Sequence, residues 1–307
     1  MAIDSVTIAY LKAHYPLEFY KCVLQRFTDK GEKDKVALIK QEMLKRGYKL
    51  KDIQFGDDNR SFNIDRDNNC IVQTMASIKD MPKSAPEALY ELGKSDIKNR
   101  AALYQALMDD PRINKKAIEI LFHLGYFNKF AQPNRLITEY EIYQKYISVK
   151  VLTKSSFDDI MIDVIRPCCG KETEKQFREI DNRALITALI KQANIKPTTI
   201  VDRIKWQLEY LGYCTVNDPN SDPNDWLVLD AKTTGYGTVY ITGYNLCYGA
   251  ERTYRANKKF WTNHQLSKGD VIRVVLQEKN KMKKDENGEW VVLSETYQEM
   301  KVWKKLE

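Results

Sequence analysis

The sequence is poor in the residues that build metal centres and nucleophilic catalytic sites. Of its 307 residues, only three are histidine and six are cysteine. His14, His123 and His264 lie far apart, and the one adjacent cysteine pair, Cys168 and Cys169, has a spacing that fits no zinc-ligand pattern. We therefore predict reduced thiols, no metal cluster and no Cys/His catalytic pair.

Long apolar runs are also missing. No stretch approaches the roughly 20 residues that a helix needs to cross a bilayer, and the N-terminus lacks the basic-then-apolar order of a signal peptide. There is no phosphate-cradling glycine-rich loop and no nucleophile beside a base, and Asp158 with Asp159 is more simply a helix cap. The sequence therefore predicts a cytoplasmic protein without a membrane partner, and it gives little support to an enzyme in isolation.

Length and charge allow a multidomain protein with a polyanionic partner. By length, about two domains are expected. The net charge is +7, and residues 1–150 carry 25 Lys and Arg against 20 Asp and Glu. A balance of this size permits nucleic-acid binding without establishing it, because charged runs are more often solvated faces.

The periodicity of apolar residues changes from helical to alternating along the chain. Helices are predicted from Pro16 to Phe27, 36–46, 115–124 and 182–193, and another ends at Gly212. Short strands are predicted at 53–55, 62–64 and 70–72. The Asp- and Asn-rich segment 217–224 fits a domain boundary, and period-two alternation follows it.

Several segments, taken in order, resemble the C-terminal portion of the α subunit of bacterial DNA polymerase III, a C-family replicative polymerase. They are MAIDSVTIAYLKAHYPLEFY (1–20), GDDNRSFNIDRDNN (56–69), SIKDMPKSAPEALYEL (77–92), INKKAIEILFHLGYF (113–127) and EYLG (209–212). The resemblance is specific over the first 150 residues and depends on order and pattern beyond them. It implies that the chain starts inside a larger protein, after the palm.

This resemblance implies a multidomain α+β protein. Its N-terminal two-thirds is expected to be all-α, with helix-hairpin-helix-like units and one short β-hairpin, before a five-stranded oligonucleotide-binding (OB) barrel. The implied domains are the end of the fingers (1–50), a tandem helix-hairpin-helix-like duplex-binding region (51–150), a helical connector (151–220) and the OB domain (221–307).

The hairpin of the first helix-hairpin-helix unit departs from the family. Such hairpins bind duplex DNA because glycines let backbone N–H groups approach a phosphate at a helix N-terminus. Here Asp80 and Pro82 stand at the usual glycine positions, which adds a negative charge and removes a donor. Lys79, Lys83 and Ser84 remain as candidate phosphate contacts. The hairpin either binds duplex weakly or serves only as a packing element.

The barrel is expected to bind single-stranded DNA by base stacking on aromatic side chains, with cations along the phosphates. The candidate residues combine rings and cations in one stretch of the chain: Tyr240, Tyr244, Arg252, Tyr254, Arg255, Lys258, Lys259 and Trp261. Tyr240 and Tyr244 are the side chains most expected to be exposed. The competing interpretation is that Trp261 and Phe260, which follow these cations, fill the barrel core.

Two functions remain open. The first is a non-catalytic DNA-handling fragment, whose partners are duplex and single-stranded DNA, upstream polymerase domains and other replisome proteins. In the family, nucleotide addition uses two Mg²⁺ ions in the palm, so this chain is predicted to need no cofactor and to be inactive alone. The second is a scaffold or replisome-docking module with little affinity for DNA.

Overall fold

The computed structural model describes residues 2–235, 237–256, 261, 266–284 and 289–306, and these form a mixed α+β protein. The described residues hold ten α-helices and eleven strands. They divide into two compact units, of which the first comprises residues 1–198 and 208–213 and the second comprises residues 199–207 and 214–307.

Three helices open the first unit: α1 (Ala2–His14), α2 (Pro16–Asp29) and α3 (Lys33–Lys45). Pro16 begins α2 because its fixed φ suits a first helical position. Gly47 follows α3 with a φ of +82°, the left-handed conformation that ends a helix. One face of α2 and one face of α3 join an apolar core formed by Leu17, Tyr20, Leu24, Val36, Met43, Phe62 and Ile71.

A small mixed sheet packs with these helices. Its strands are β1 (Lys49–Lys51), β2 (Asn63–Asp65) and β3 (Cys70–Val72), in the order β1-β3-β2 with β1 parallel to β3. The predicted strand 70–72 is confirmed, whereas 53–55 is a loop. Phe55 in that loop is buried against the rings of Tyr126 and Phe127, so its apolar character comes from side-chain packing.

The middle of the first unit is helical. It contains α4 (Ala85–Gly93), α5 (Arg100–Asp109), α6 (Lys115–His123) and α7 (Pro133–Tyr146). The side-chain oxygen of Asn114 accepts the N–H of Ala117 at 2.8 Å, which caps α6.

The all-α expectation is wrong for residues 151–180. An antiparallel sheet forms there from β4 (Val151–Thr153), β5 (Cys169–Glu172) and β6 (Gln176–Ile180), with α8 (Asp159–Ile165) inserted before β5. These strands have three to five residues, and within them only Leu152 and Phe177 are buried. Such short strands carry too little alternation to be recognised. The predicted helix at 182–193 is confirmed as α9 (Asn182–Gln192).

The second unit is built around a closed barrel of five strands, which follow α10 (Ile200–Leu211). The strands are β7 (Asp225–Thr233), β8 (Val239–Asn245), β9 (Glu251–Ala256), β10 (Val271–Lys284) and β11 (Trp290–Leu306). Pairing runs β7-β8-β9-β11-β10 and returns to β7, with β9 and β11 parallel where Arg255 meets Glu299.

Alternation along the strands fills the barrel. Val239 and Ile241 of β8 and Ile272 and Val274 of β10 are buried with Trp226 in one cluster. Their neighbours Tyr240, Arg273 and Val275 are exposed, as the period of two predicts. Residues 278–284 continue β10, which pairs with β11 as far as Trp290, although a lysine-rich composition is more typical of a loop.

A buried lysine lies beneath the mixed sheet of the first unit. Lys40 of α3 is 1% exposed, and its Nζ donates to Gln73 Oε1 at 2.8 Å and Ser77 Oγ at 2.9 Å. The hydroxyl of Tyr213 donates to the same Gln73 oxygen. Burial lowers the pKa of Lys40 to about 7, although the nearby Asp52 favours the charged form.

Candidate nucleic-acid interface

In the hairpin before α4, a residue other than glycine adopts the left-handed backbone conformation. Asp80 has a φ of +59°, the left-handed conformation that aspartate tolerates better than most residues. Its neighbours Ile78 and Met81 are buried and anchor the turn. Asp80 therefore supplies the left-handed residue of this turn, a conformation that glycine most often provides.

Lys33 of α3 also lies beside this hairpin. Its Nζ donates to the carbonyl of Ile78 at 2.5 Å. Burial lowers the pKa of Lys33, while the negative charge of Asp80 acts in the opposite direction. Lys33 therefore counters part of the charge that Asp80 brings to the hairpin. No sequence motif identifies Lys33, because 45 residues separate it from Ile78.

The three side chains predicted to contact duplex DNA differ in whether another group of the protein already binds them. Lys79 and Lys83 are exposed, and neither forms an ion pair within the residues that the structure describes. The hydroxyl of Ser84 is also exposed, but it donates to the carbonyl of Arg112 at 3.0 Å. The two lysines are thus free to meet a phosphate, whereas Ser84 would have to exchange an internal hydrogen bond.

On the barrel, one outward face carries a ring and a cation from adjacent strands. Tyr240 is 43% exposed and lies directly opposite Arg255. The guanidinium of Arg255 lies 5.3 Å from the ring centre of Tyr297 on β11. A base could stack on Tyr240 while the cation meets its phosphate.

Tyr244 and Tyr254 are not available for stacking, and the prediction that Tyr244 is exposed is wrong. Tyr244 is 3% exposed because residues 214–217 cover it, and its hydroxyl donates to the carbonyl of Val216 at 2.8 Å. Tyr254 points into the barrel, where its ring meets Trp226 edge-on at 5.9 Å. Both rings belong to the core of the second unit.

The remaining residues predicted to bind single-stranded DNA differ in their exposure. Arg252 is exposed on β9, opposite Gly243. Trp261 is partly buried against the barrel core, in agreement with the core-filling interpretation. Lys258 and Lys259 lie outside the described residues, as does Phe260.

Sequence reasoning missed part of this face. Tyr297 and the alternating lysines of β10, Lys279 and Lys281, continue it, and the two lysines pair with Glu299 and Glu295. The period-two spacing of lysines in residues 278–284 is typical of a strand, but the lysine-rich composition of this segment favours a loop.

Substitution by phenylalanine should change the free energy of unfolding differently at the two buried tyrosines, because their hydroxyls differ in hydrogen bonding. Tyr244→Phe removes a hydrogen bond and should lower the free energy of unfolding by about 1 kcal/mol. Tyr254→Phe should be neutral or stabilising, because the Tyr254 hydroxyl is buried and accepts or donates no hydrogen bond among the residues that the structure describes. Urea unfolding followed by tryptophan fluorescence measures both. Equal destabilisation by the two changes would contradict these assignments.

Within the described part of the chain, no three His, Cys, Asp or Glu side chains converge as metal ligands. Among the same residues, no helix is long and apolar enough to cross a membrane.

No protein-family model matches the chain, and no curated protein matches it significantly.

Proposed function

We propose that this chain is a DNA-handling portion of a C-family replicative polymerase. In this proposal the barrel is an OB fold that holds single-stranded template, and the first unit holds duplex. The observation that carries the proposal is the strand order of the barrel. Numbered within the barrel, the strands run 1-2-3-5-4-1 with the third parallel to the fifth, a closed five-stranded arrangement of the kind that OB folds adopt.

The outward face of the barrel supports single-strand binding. Tyr240 offers an exposed ring, and Arg255 adds positive charge from the neighbouring strand. This combination suits a strand whose bases stack and whose phosphates are neutralised, without reading sequence.

The hairpin supports duplex binding through different chemistry. Lys79 and Lys83 are exposed around a turn whose backbone adopts the conformation that glycine usually provides. Contacts from this turn would go to phosphates and would be independent of sequence.

Binding of labelled single-stranded, duplex and primer-template DNA, measured by anisotropy across a salt series, tests the proposal. We expect micromolar-range affinity that falls steeply with salt, because phosphate contacts release counterions. Absence of binding to all three at low salt would contradict it.

The double substitution Lys79→Glu and Lys83→Glu tests the duplex contact. We expect duplex affinity to fall about tenfold and single-strand affinity to change little, because only the hairpin loses its cations. Lys171→Glu with Lys175→Glu is the matched control, since it changes the net charge equally at two exposed lysines elsewhere. Equal loss of duplex and single-strand binding would refute a two-site arrangement.

The alternative function is a scaffold or replisome-docking module, and α1 supports it. Large apolar side chains are exposed along and just after this helix: Val6, Ile8, Tyr10, Leu11 and Tyr15. Exposed apolar surface of this kind is typical of a protein-protein contact. Docking through α1 would depend less on salt than DNA binding, so the same salt series separates the two functions.

A further inference from the structure

The first unit contains a pocket that neither the hairpin nor the barrel explains. It has a volume of about 1020 Å³ and is formed mainly by α5, α7 and α9. This volume lies near the upper end of the range for small-molecule sites. Five cations line the pocket, namely Lys98, Arg100, Lys129, Arg183 and Lys191, against a single carboxylate, Glu139.

The single carboxylate is already neutralised. Glu139 is 2% exposed, and its Oε2 accepts from Arg100 Nε at 2.6 Å and from the hydroxyl of Tyr104 at 3.1 Å. Its Oε1 accepts from Arg135 Nε at 2.7 Å. Two guanidinium groups therefore hold one carboxylate, and the pocket keeps a positive excess.

Two cations on α9 have no such partner. Arg183 and Lys191 are exposed and form no ion pair with a carboxylate within the described residues. Arg183, Thr187 and Lys191 follow each other at intervals of four, so they share one face of the helix. The Cα atoms of Arg183 and Lys191 are about 12 Å apart along the helix axis, from a rise of about 1.5 Å per residue. This spacing suits a ligand with extended or several negative charges.

The pocket also presents an aromatic ring. Phe130 is half-buried, and Lys129 Nζ lies 5.0 Å from its ring centre. Tyr104 and Tyr143 line the wall as well, but both are buried. Phe130 is thus the aromatic side chain of the lining with surface to offer a planar ligand.

We propose that this pocket binds a nucleotide, with its phosphates on Arg183 and Lys191 and its base against Phe130. Arginine suits phosphate because its planar fork can donate two parallel hydrogen bonds. The ligand is either a free nucleotide or a nucleotide unit of a single strand, since both present the same phosphate and base. The site does not depend on the proposed DNA-handling function, because a free nucleotide would bind without it.

The test compares two double variants of the full chain. Arg183→Glu with Lys191→Glu removes the pocket cations, and Lys171→Glu with Lys175→Glu makes the same change of charge at exposed lysines that do not line it. Circular dichroism checks that both fold. The probes are a fluorescent nucleoside triphosphate and a short labelled oligothymidylate, measured by anisotropy.

We expect saturable binding of at least one probe, with Kd raised about tenfold or more by the pocket variant and by no more than about twofold by the control. Preference for the triphosphate would identify a free nucleotide, and preference for the oligothymidylate would identify a strand.

If both variants weakened probe binding equally, the loss of affinity would follow from net charge alone, and the proposed site would be wrong. Competition by inorganic tripolyphosphate as strong as by unlabelled nucleoside triphosphate would also overturn it, because the base would then contribute nothing. Lys79→Glu with Lys83→Glu should leave triphosphate binding intact, so failure of the hairpin and failure of the pocket can be distinguished.

Discussion

A Lys40→Met variant is expected to be more stable than the wild-type chain near neutral pH, by about 2 kcal/mol. Burial lowers the pKa of Lys40 to about 7, whereas an unfolded lysine titrates near 10.4. Between these values the unfolded chain binds more protons than the folded chain. Stability of the wild type must therefore rise with pH through this window and fall as pH drops toward 7.

Methionine fills a similar volume and carries no proton, so it lacks this dependence. The stability difference should shift by about 3 kcal/mol in favour of the wild type between about pH 7 and about pH 10, so Lys40→Met should be the less stable of the two near pH 10. Both hydrogen-bond partners of Lys40 keep another hydrogen bond when the amine is lost. Gln73 still accepts from Tyr213, and the Ser77 hydroxyl still donates to the carbonyl of Thr74 at 2.8 Å.

Urea unfolding followed by far-ultraviolet circular dichroism measures this effect in the first unit. All five tryptophans lie in residues 199–207 and 214–307, so tryptophan fluorescence reports separately on the second unit. Lys45→Met is the matched control, since Lys45 is exposed on the same helix. If the free energy of unfolding varied with pH in the same way for Lys40→Met and for the wild type, the folded state would not lower the pKa of Lys40.

Tyr240→Ala is expected to weaken binding of single-stranded DNA about tenfold, because stacking on an aromatic side chain contributes about 1–3 kcal/mol per base. Tyr240 is exposed on the outward barrel face, opposite Arg255. The change should leave barrel stability nearly intact, since the ring contributes little to the core. Anisotropy with a labelled oligothymidylate measures the affinity.

Tyr248→Ala provides the control for this experiment. Tyr248 is 69% exposed but follows the far end of β8, away from the Tyr240 position. Equal effects of the two substitutions, or no effect of either, would contradict a stacking face centred on Tyr240. Tyr244→Ala cannot be used for this purpose, because removal of a buried ring would destabilise the barrel itself.

Several elements of the fold could be predicted from local chemistry. Pro16 begins α2, Asn114 caps α6 and Gly47 ends α3, because each residue type has a backbone or hydrogen-bonding property that suits that position. The alternation in β8 and β10 predicted which side chains fill the barrel. These features depend on neighbours in sequence, so the sequence contains the information.

The sheet of β4, β5 and β6 could not be predicted in this way. Its strands are short, β4 pairs with the distant β6, and few of their side chains, such as Phe177, are buried. The same limit applies to Tyr244. Alternation assigned it correctly to the outward side of β8, but a distant segment of chain covers that end of the strand.

By itself, the sequence determined most of the helices and the alternation of the barrel strands, because these follow from the period of apolar residues and from local backbone preference. The tertiary structure decided which polar residues are buried and which charges remain free. Lys40 lies on a helix rich in lysine, yet only the packing of α3 under the mixed sheet excludes water from it. Arg183 and Lys191 resemble any other surface cations in the sequence, and only the arrangement of α5, α7 and α9 brings them to one pocket.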